Sequence, residues 1–209
     1  MAEPSRLRLF TAVELPAAWR SALAGQTRAL ESAAPGFGRW VEADLMHVTL
    51  VFLGAQPPNR VSEIEAAMDR AAASSEPFEV APASLGSFGS PRALRVIWAG
   101  VQDTPRGCLE RLHGALTREL RGQGLEMEEA AFRAHITLGR AKRGASADLS
   151  TAMFRSIQDS QKRRPLELEP FECAHVSLVK SDLRPTGPVY TPLHRSMLGQ
   201  VDAVGDSPG

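Results

Sequence analysis

Two short stretches carry residues able to move protons and hold an anion: Met46-His47-Val48-Thr49-Leu50-Val51-Phe52 and Ala134-His135-Ile136-Thr137-Leu138-Gly139-Arg140. In each, a His precedes a Thr by two positions, with aliphatic residues at the alternate ones. Val, Ile and Thr favour a pleated strand, and residues i and i+2 of a strand share a face. His47 and Thr49 are therefore expected on one face, and His135 and Thr137 likewise. Val48, Leu50, Ile136 and Leu138 then turn towards a core. Two imidazoles and two hydroxyls facing one another suit phosphoryl chemistry. One neutral imidazole takes a proton from water while the other, protonated, gives one to a leaving oxygen. The Thr hydroxyls donate hydrogen bonds to the non-bridging oxygens as charge builds on them. A leaving group that stays tethered, as in a cyclic phosphate, fits this arrangement. Arg140, just beyond Thr137, and Lys142 and Arg143 further on add local positive charge. No Asp/Glu cluster accompanies the histidines, so neither a metal nor a cofactor is expected.

A bland reading stands beside this one: a His and a Thr on a strand can be the polar face of a half-buried sheet. One motif alone would be read so. Two in one chain, with matched flanks, favour a site. His175-Val176-Ser177-Leu178 fits the same pattern on another plausible strand, and pattern alone does not exclude it. His113 and His194 lie outside any motif and are expected at the surface or in packing. Trp19 and Trp98 are expected in the core, and Trp40 in the core or near the cleft.

The elements that must position these residues follow in order. Leu7–Val13 reads as a strand ended at Glu14-Leu15-Pro16, and good helix formers run from Pro16 to Ala34. Trp40-Val41 is a short strand, followed by the first motif strand, closed by Gly54. Val61–Ala73 has helical spacing, and Phe78–Ala83 and Ala93–Val101 are strands flanking a Gly-rich turn at 86–90. Thr104-Pro105 opens a third helix, in which Leu109, Leu112, Leu116 and Leu120 form an apolar stripe. Phe132–Gly139 is the second motif strand, and a short helix is expected around Leu149–Ile157. Leu166–Val179 and Val189–Leu198 are the last strands. A helix followed by a His-x-Thr strand thus occurs once in each half. This predicts an α+β fold of two pseudo-symmetric lobes, each an antiparallel sheet with helices on its outer face, and a site in the central cleft. Residues 1–198 form the single bilobal domain; 199–209 are a flexible tail.

Composition narrows the function classes. The 24 basic and 24 acidic residues balance, so nothing suggests a nonspecific coat for nucleic acid or attraction to a membrane. Cys108 and Cys173 are the only cysteines, with neither disulfide framework nor zinc-ligand spacing. No apolar run reaches membrane-spanning length, and the N-terminus lacks the apolar stretch of a signal peptide. A cytoplasmic monomer is expected.

At His47-Val48-Thr49-Leu50 and His135-Ile136-Thr137-Leu138 the chain resembles the 2H phosphoesterases, with their twin HxTx signatures. Within them it is most similar to the bacterial RNA 2',3'-cyclic phosphodiesterases, historically called 2'-5' RNA ligases. The likeness extends to Arg8–Pro16, to Trp40–Gly54, to Arg95–Gly100 and to Ser181–Leu193. The final block places Val176–Lys180 on a strand where that family has no catalytic His, so His175 is taken as structural. Two departures remain. The family's F-x-P-H is here Phe132-Arg133-Ala134-His135, without the fixed turn of a Pro, and Arg133 adds a charge near the site. The resemblance implies opening of an RNA 2',3'-cyclic phosphate end to a 2'-phosphomonoester. It casts His47 as the acid for the 3' oxygen, His135 as the base for water, Thr49 and Thr137 as phosphate binders, and Arg140 as their helper. The residues themselves give the pair without saying which His plays which part. RNA or an oligonucleotide with such an end is the implied partner. Ligation through the reverse reaction is one alternative, and a nucleotide- or RNA-binding module with little turnover is another.

Overall fold

The computed structural model describes residues 6–127, 131–163, 166–185 and 187–199. Residues 200–209 of the expected tail lie outside the described residues. The strands are β1 (Leu7–Glu14), β2 (Gly38–Trp40), β3 (His47–Gln56), β4 (Phe78–Ser90), β5 (Ala93–Thr104), β6 (His135–Ala141), β7 (Phe171–Cys173), β8 (His175–Arg184) and β9 (Gly187–Met197). The helices are α1 (Ala17–Ala33), α2 (Val61–Ala73), α3 (Cys108–Gly122) and α4 (Ala147–Arg163). Among the described residues the strands form one antiparallel sheet in the order β7-β4-β5-β6-β3-β1-β8-β9, with β2 added beside β6.

The two motif strands, β3 and β6, are neighbours at the middle of this sheet, and the order on either side of them matches. One lobe is β6, β5, β4 and β7, with α1 and α4 packed together against it; the other is β3, β1, β8 and β9, with α2 and α3. The expected two lobes are present, but they are not the two halves of the chain. The β4–β5 hairpin of the first half crosses to lie beside β6, and the β8–β9 hairpin of the second half crosses to lie beside β1. Each helix pair likewise takes one helix from each half.

Alternation along the strands sets the faces. Val48, Ile136, Leu138 and Leu178 are fully buried against helix residues such as Leu23, Met68, Leu116 and Met153 in one core. Fully burying side chains of this size stabilises the fold by about 1.5–3 kcal/mol each. Phe10, Ala12, Val179 and Tyr190 gather on the opposite face of the sheet. That face is the cleft.

Several expected boundaries shift for local reasons. The Gly-rich run 86–90 is strand rather than turn, and the chain reverses at Pro91-Arg92. Gly86 is needed there because a Cβ would sit 2.3 Å from the Trp98 ring, and Gly89 has φ +104° at an irregularity in the ladder. The third helix starts at Cys108, three residues after Pro105, where the Asp103 carboxylate accepts hydrogen bonds from the backbone N–H of Gly107 (2.9 Å) and Leu109 (2.5 Å). The segment 132–134 is not strand, 166–170 is not strand either, and α4 runs past Ile157 to Arg163.

Candidate functional site

Val48 and Ile136 are paired across β3 and β6. Both are fully buried, so the residues flanking them, His47 and Thr49, His135 and Thr137, fall on the cleft face. An antiparallel step to either side sets His47 towards Thr137 and Thr49 towards His135. All four side chains are half-buried.

Each strand then carries an extra residue. Ala12 and Thr11 pair with Thr49 and Val51, skipping Leu50, while Trp98 and Ile97 pair with Thr137 and Gly139, skipping Leu138. These bulges keep both leucines in the core and return the next side chains, Phe52 and Arg140, to the cleft face. One motif thus ends in an exposed phenyl ring and the other in an exposed guanidinium. The first bulge is held from two sides. Thr11 Oγ1, itself fully buried, accepts from the Val51 N–H at 3.1 Å, and His113 Nδ1 donates to the Leu50 carbonyl at 3.0 Å.

The imidazoles are oriented alike. His47 Nδ1 donates to the Leu45 carbonyl and His135 Nδ1 to the Arg133 carbonyl, each at 2.7 Å. A carbonyl can only accept, so Nδ1 holds the proton in the neutral ring and Nε2 is the working nitrogen. His47 Nε2 lies 2.9 Å from Thr49 Oγ1. Leu45 closes a single 3-10 turn, Ala43–Leu45, ahead of β3. Ahead of β6 there is no Pro to fix the chain; instead the Phe132 ring stacks on His113 at 4.4 Å and 8°.

Aromatic rings flank both histidines. Phe10 stacks on His47 at 4.8 Å and Tyr190 meets it edge-on at 5.4 Å, while Phe88 stands edge-on to His135 at 5.1 Å. Burial pushes the pKa of both histidines down. The charge of His135 adds to this at His47, and those of Arg140 and Arg133 add to it at His135. Tyr190 is raised by burial, against the pull of Arg140 and Arg8. Cationic side chains from β1, β6 and the segment before β6 thus bear on one cleft, which favours an anion there. Among the described residues no group of three or more His, Cys, Asp and Glu is placed to hold a metal.

Every residue singled out by the motifs, His47, Thr49, His135, Thr137 and Arg140, is on this face. Trp98 is a correction: it is half-buried beside His135, 6.2 Å between ring centroids, because its strand pairs directly with Thr137. Trp19 is core, and Trp40 packs against the core rather than the cleft. His175 lies on β8, with β1 between it and β3, near the Glu14 carboxylate that binds Ser177 and Arg195. His194 pairs with Asp69 at 2.7 Å. Phe10, Phe88 and Tyr190 were not singled out. Period-2 alternation in β1 hinted at Phe10, but the rings come from strands far apart in sequence.

A family model described as the 2'-5' RNA ligase superfamily matches residues 17–185. The chain belongs to this superfamily. An RNA 2',3'-cyclic phosphodiesterase of Geobacillus stearothermophilus is 29% identical over 197 residues, 94% of this chain and 59% of that one. The chain therefore spans less than two thirds of that relative's length. A protein of the same description from Methanothermobacter thermautotrophicus is 29% identical over 186 residues, 89% of this chain and 96% of its own. A crystal structure from Thermus thermophilus superposes with a TM-score of 0.72 at 26% identity, covering 92% of this chain and 98% of that one. This superfamily member thus shares its α+β fold with a solved protein over nearly its whole described length.

Proposed function

We propose that the chain opens 2',3'-cyclic phosphate ends of RNA to 2'-phosphomonoesters, without a metal or cofactor. Water attacks phosphorus from the His135 side and passes its proton to His135 Nε2. The P–O3' bond breaks opposite, and His47 Nε2 gives its proton to the departing oxygen. Thr49 and Thr137 donate to the non-bridging oxygens, and Arg140 balances their charge. The observation that carries this reading is the shared tether of the two imidazoles, which leaves Nε2 as the working nitrogen of each. The assignment of acid and base follows the family resemblance. The two curated relatives, named for this activity, support the substrate class.

We read residues 1–198 as one bilobal unit, supported by a sheet to which both halves of the chain contribute strands to both lobes. The unit is taken as a cytoplasmic monomer. No described helix is long and apolar enough to cross a membrane, and the two cysteines are free.

Incubation with a dinucleotide ending in a 2',3'-cyclic phosphate, followed by phosphorus NMR, tests the function. The expected product is the 2'-phosphomonoester. Absence of turnover, or a 3'-phosphomonoester as sole product, counts against it.

A further inference from the structure

The wall around His135 carries a pair of side chains to which the hydrolysis steps assign no contact with substrate. Arg133 is exposed, and its guanidinium carbon stands 5.8 Å from the centre of the Phe88 ring, whose plane is 89° to that of His135. A cation held against a ring is a long side chain given a fixed place, with a planar guanidinium still open on its outer face. In-line displacement at phosphorus divides the cleft. The departing O3' and its nucleoside lie on the side of the acid, His47, and the attacking oxygen comes from the side of the base, His135. A water nucleophile is a single small molecule with no group to reach Arg133 or Phe88. A nucleophile that is a ribose 5'-hydroxyl would bring its own base and phosphodiester there.

We infer that Arg133 and Phe88 form a subsite for the 5'-terminal nucleotide of a second RNA strand, the one that enters or leaves on the His135 side. The inference rests on the proposed function and on its acid and base sides. In the joining direction the 5' oxygen bonds to phosphorus as the P–O3' bond breaks; His135 takes the 5'-hydroxyl proton and His47 protonates O3'. In the cleaving direction a 3'-hydroxyl attacks the 2'-5' phosphodiester. The P–O5' bond breaks, and the two histidines exchange duties. No other reactant is needed in either direction.

The experiment compares kcat/KM for cleavage of a 2'-5'-linked dinucleotide whose leaving nucleotide carries a 3'-phosphate, the anion Arg133 would meet, with that for hydrolysis of a nucleoside 2',3'-cyclic phosphate. Each enzyme is assayed at its own pH optimum, because Arg133 also bears on the protonation of His135. Stacking and ion pairing at such a subsite predict that Arg133→Ala lowers the ratio of the two about tenfold or more. Phe88→Ala should lower it similarly, and Arg133→Lys should restore part of it. Arg133 is exposed, so its variant decides the matter if Phe88→Ala does not fold. Equal losses on both substrates, or no loss on either, overturn the subsite. A wild-type chain that hydrolyses the cyclic phosphate but never cleaves the dinucleotide overturns it too, leaving the proposed function intact. A chain that does neither removes the function on which the subsite rests.

Discussion

His47 and His135 are tethered by the same bond: Nδ1 of each lies 2.7 Å from the carbonyl oxygen two residues earlier. The tether settles the tautomer of the neutral ring, and burial then favours that neutral form in both. An acid–base pair needs one of them protonated. The substrate's phosphate supplies what the free site lacks, since a nearby anion raises an imidazole pKa.

The pH dependence follows. Both pKa values lie below the usual 6.5 in the free site, and the singly protonated pair is most populated between them. The profile of kcat/KM should be a bell with its maximum on the acid side of about 6.5. Bound phosphate raises both values, so the maximum for kcat should lie at higher pH. The limbs belong to the coupled pair rather than to either ring. A single rising limb, or a kcat maximum at lower pH than that of kcat/KM, contradicts the scheme.

Removing either ring separates acid from base. His47→Ala and His135→Ala should each lower the rate by about 10²–10⁴-fold. A cyclic phosphate with an activated leaving oxygen needs no proton on that oxygen, so it should rescue His47→Ala and not His135→Ala. The opposite pattern would exchange the two assignments.

His175 gives the control within the same sheet. It shares the His-x-Ser pattern, but β1 separates its strand from β3 and its neighbours are Glu14 and Arg195. His175→Ala should turn over substrate near the wild-type rate. A folded His175→Ala enzyme as inactive as the other two would falsify the choice of pair.

Hydrolysis should persist through dialysis against EDTA. Loss of activity on chelation, with recovery on adding a divalent ion, means that the two-histidine scheme is incomplete.

Thr11→Val tests the bulge that follows the first motif. The substitution keeps the shape but leaves the Val51 N–H without its 3.1 Å acceptor inside the sheet. Stability should fall by about 1–3 kcal/mol in urea denaturation. A cost below about 0.5 kcal/mol would mean that the amide finds another partner.

The residues of the site were legible because they depend on local geometry. Period-2 alternation fixes which side chains of a strand share a face, so His47 with Thr49 and His135 with Thr137 could be read from a few residues at a time. Helix α2 was legible for the same reason, through its helical spacing. What brought the motifs together is non-local. Val48 meets Ile136 only because β3 and β6 lie side by side at the centre of the sheet, and no pattern within either strand names its partner. The exchange of the β4–β5 and β8–β9 hairpins between lobes is likewise a matter of which edges were free to pair. The Gly-rich run looked like a turn because glycine's freedom was legible, while the Trp98 ring that needs its small size sits on another strand. Trp98 itself looked like core on its hydrophobicity; its pairing with Thr137 put it beside His135. The chain's own sequence determined what chemistry the site could do. Strand pairing, summed over contacts distant in sequence, decided where that site would be and which rings would wall it.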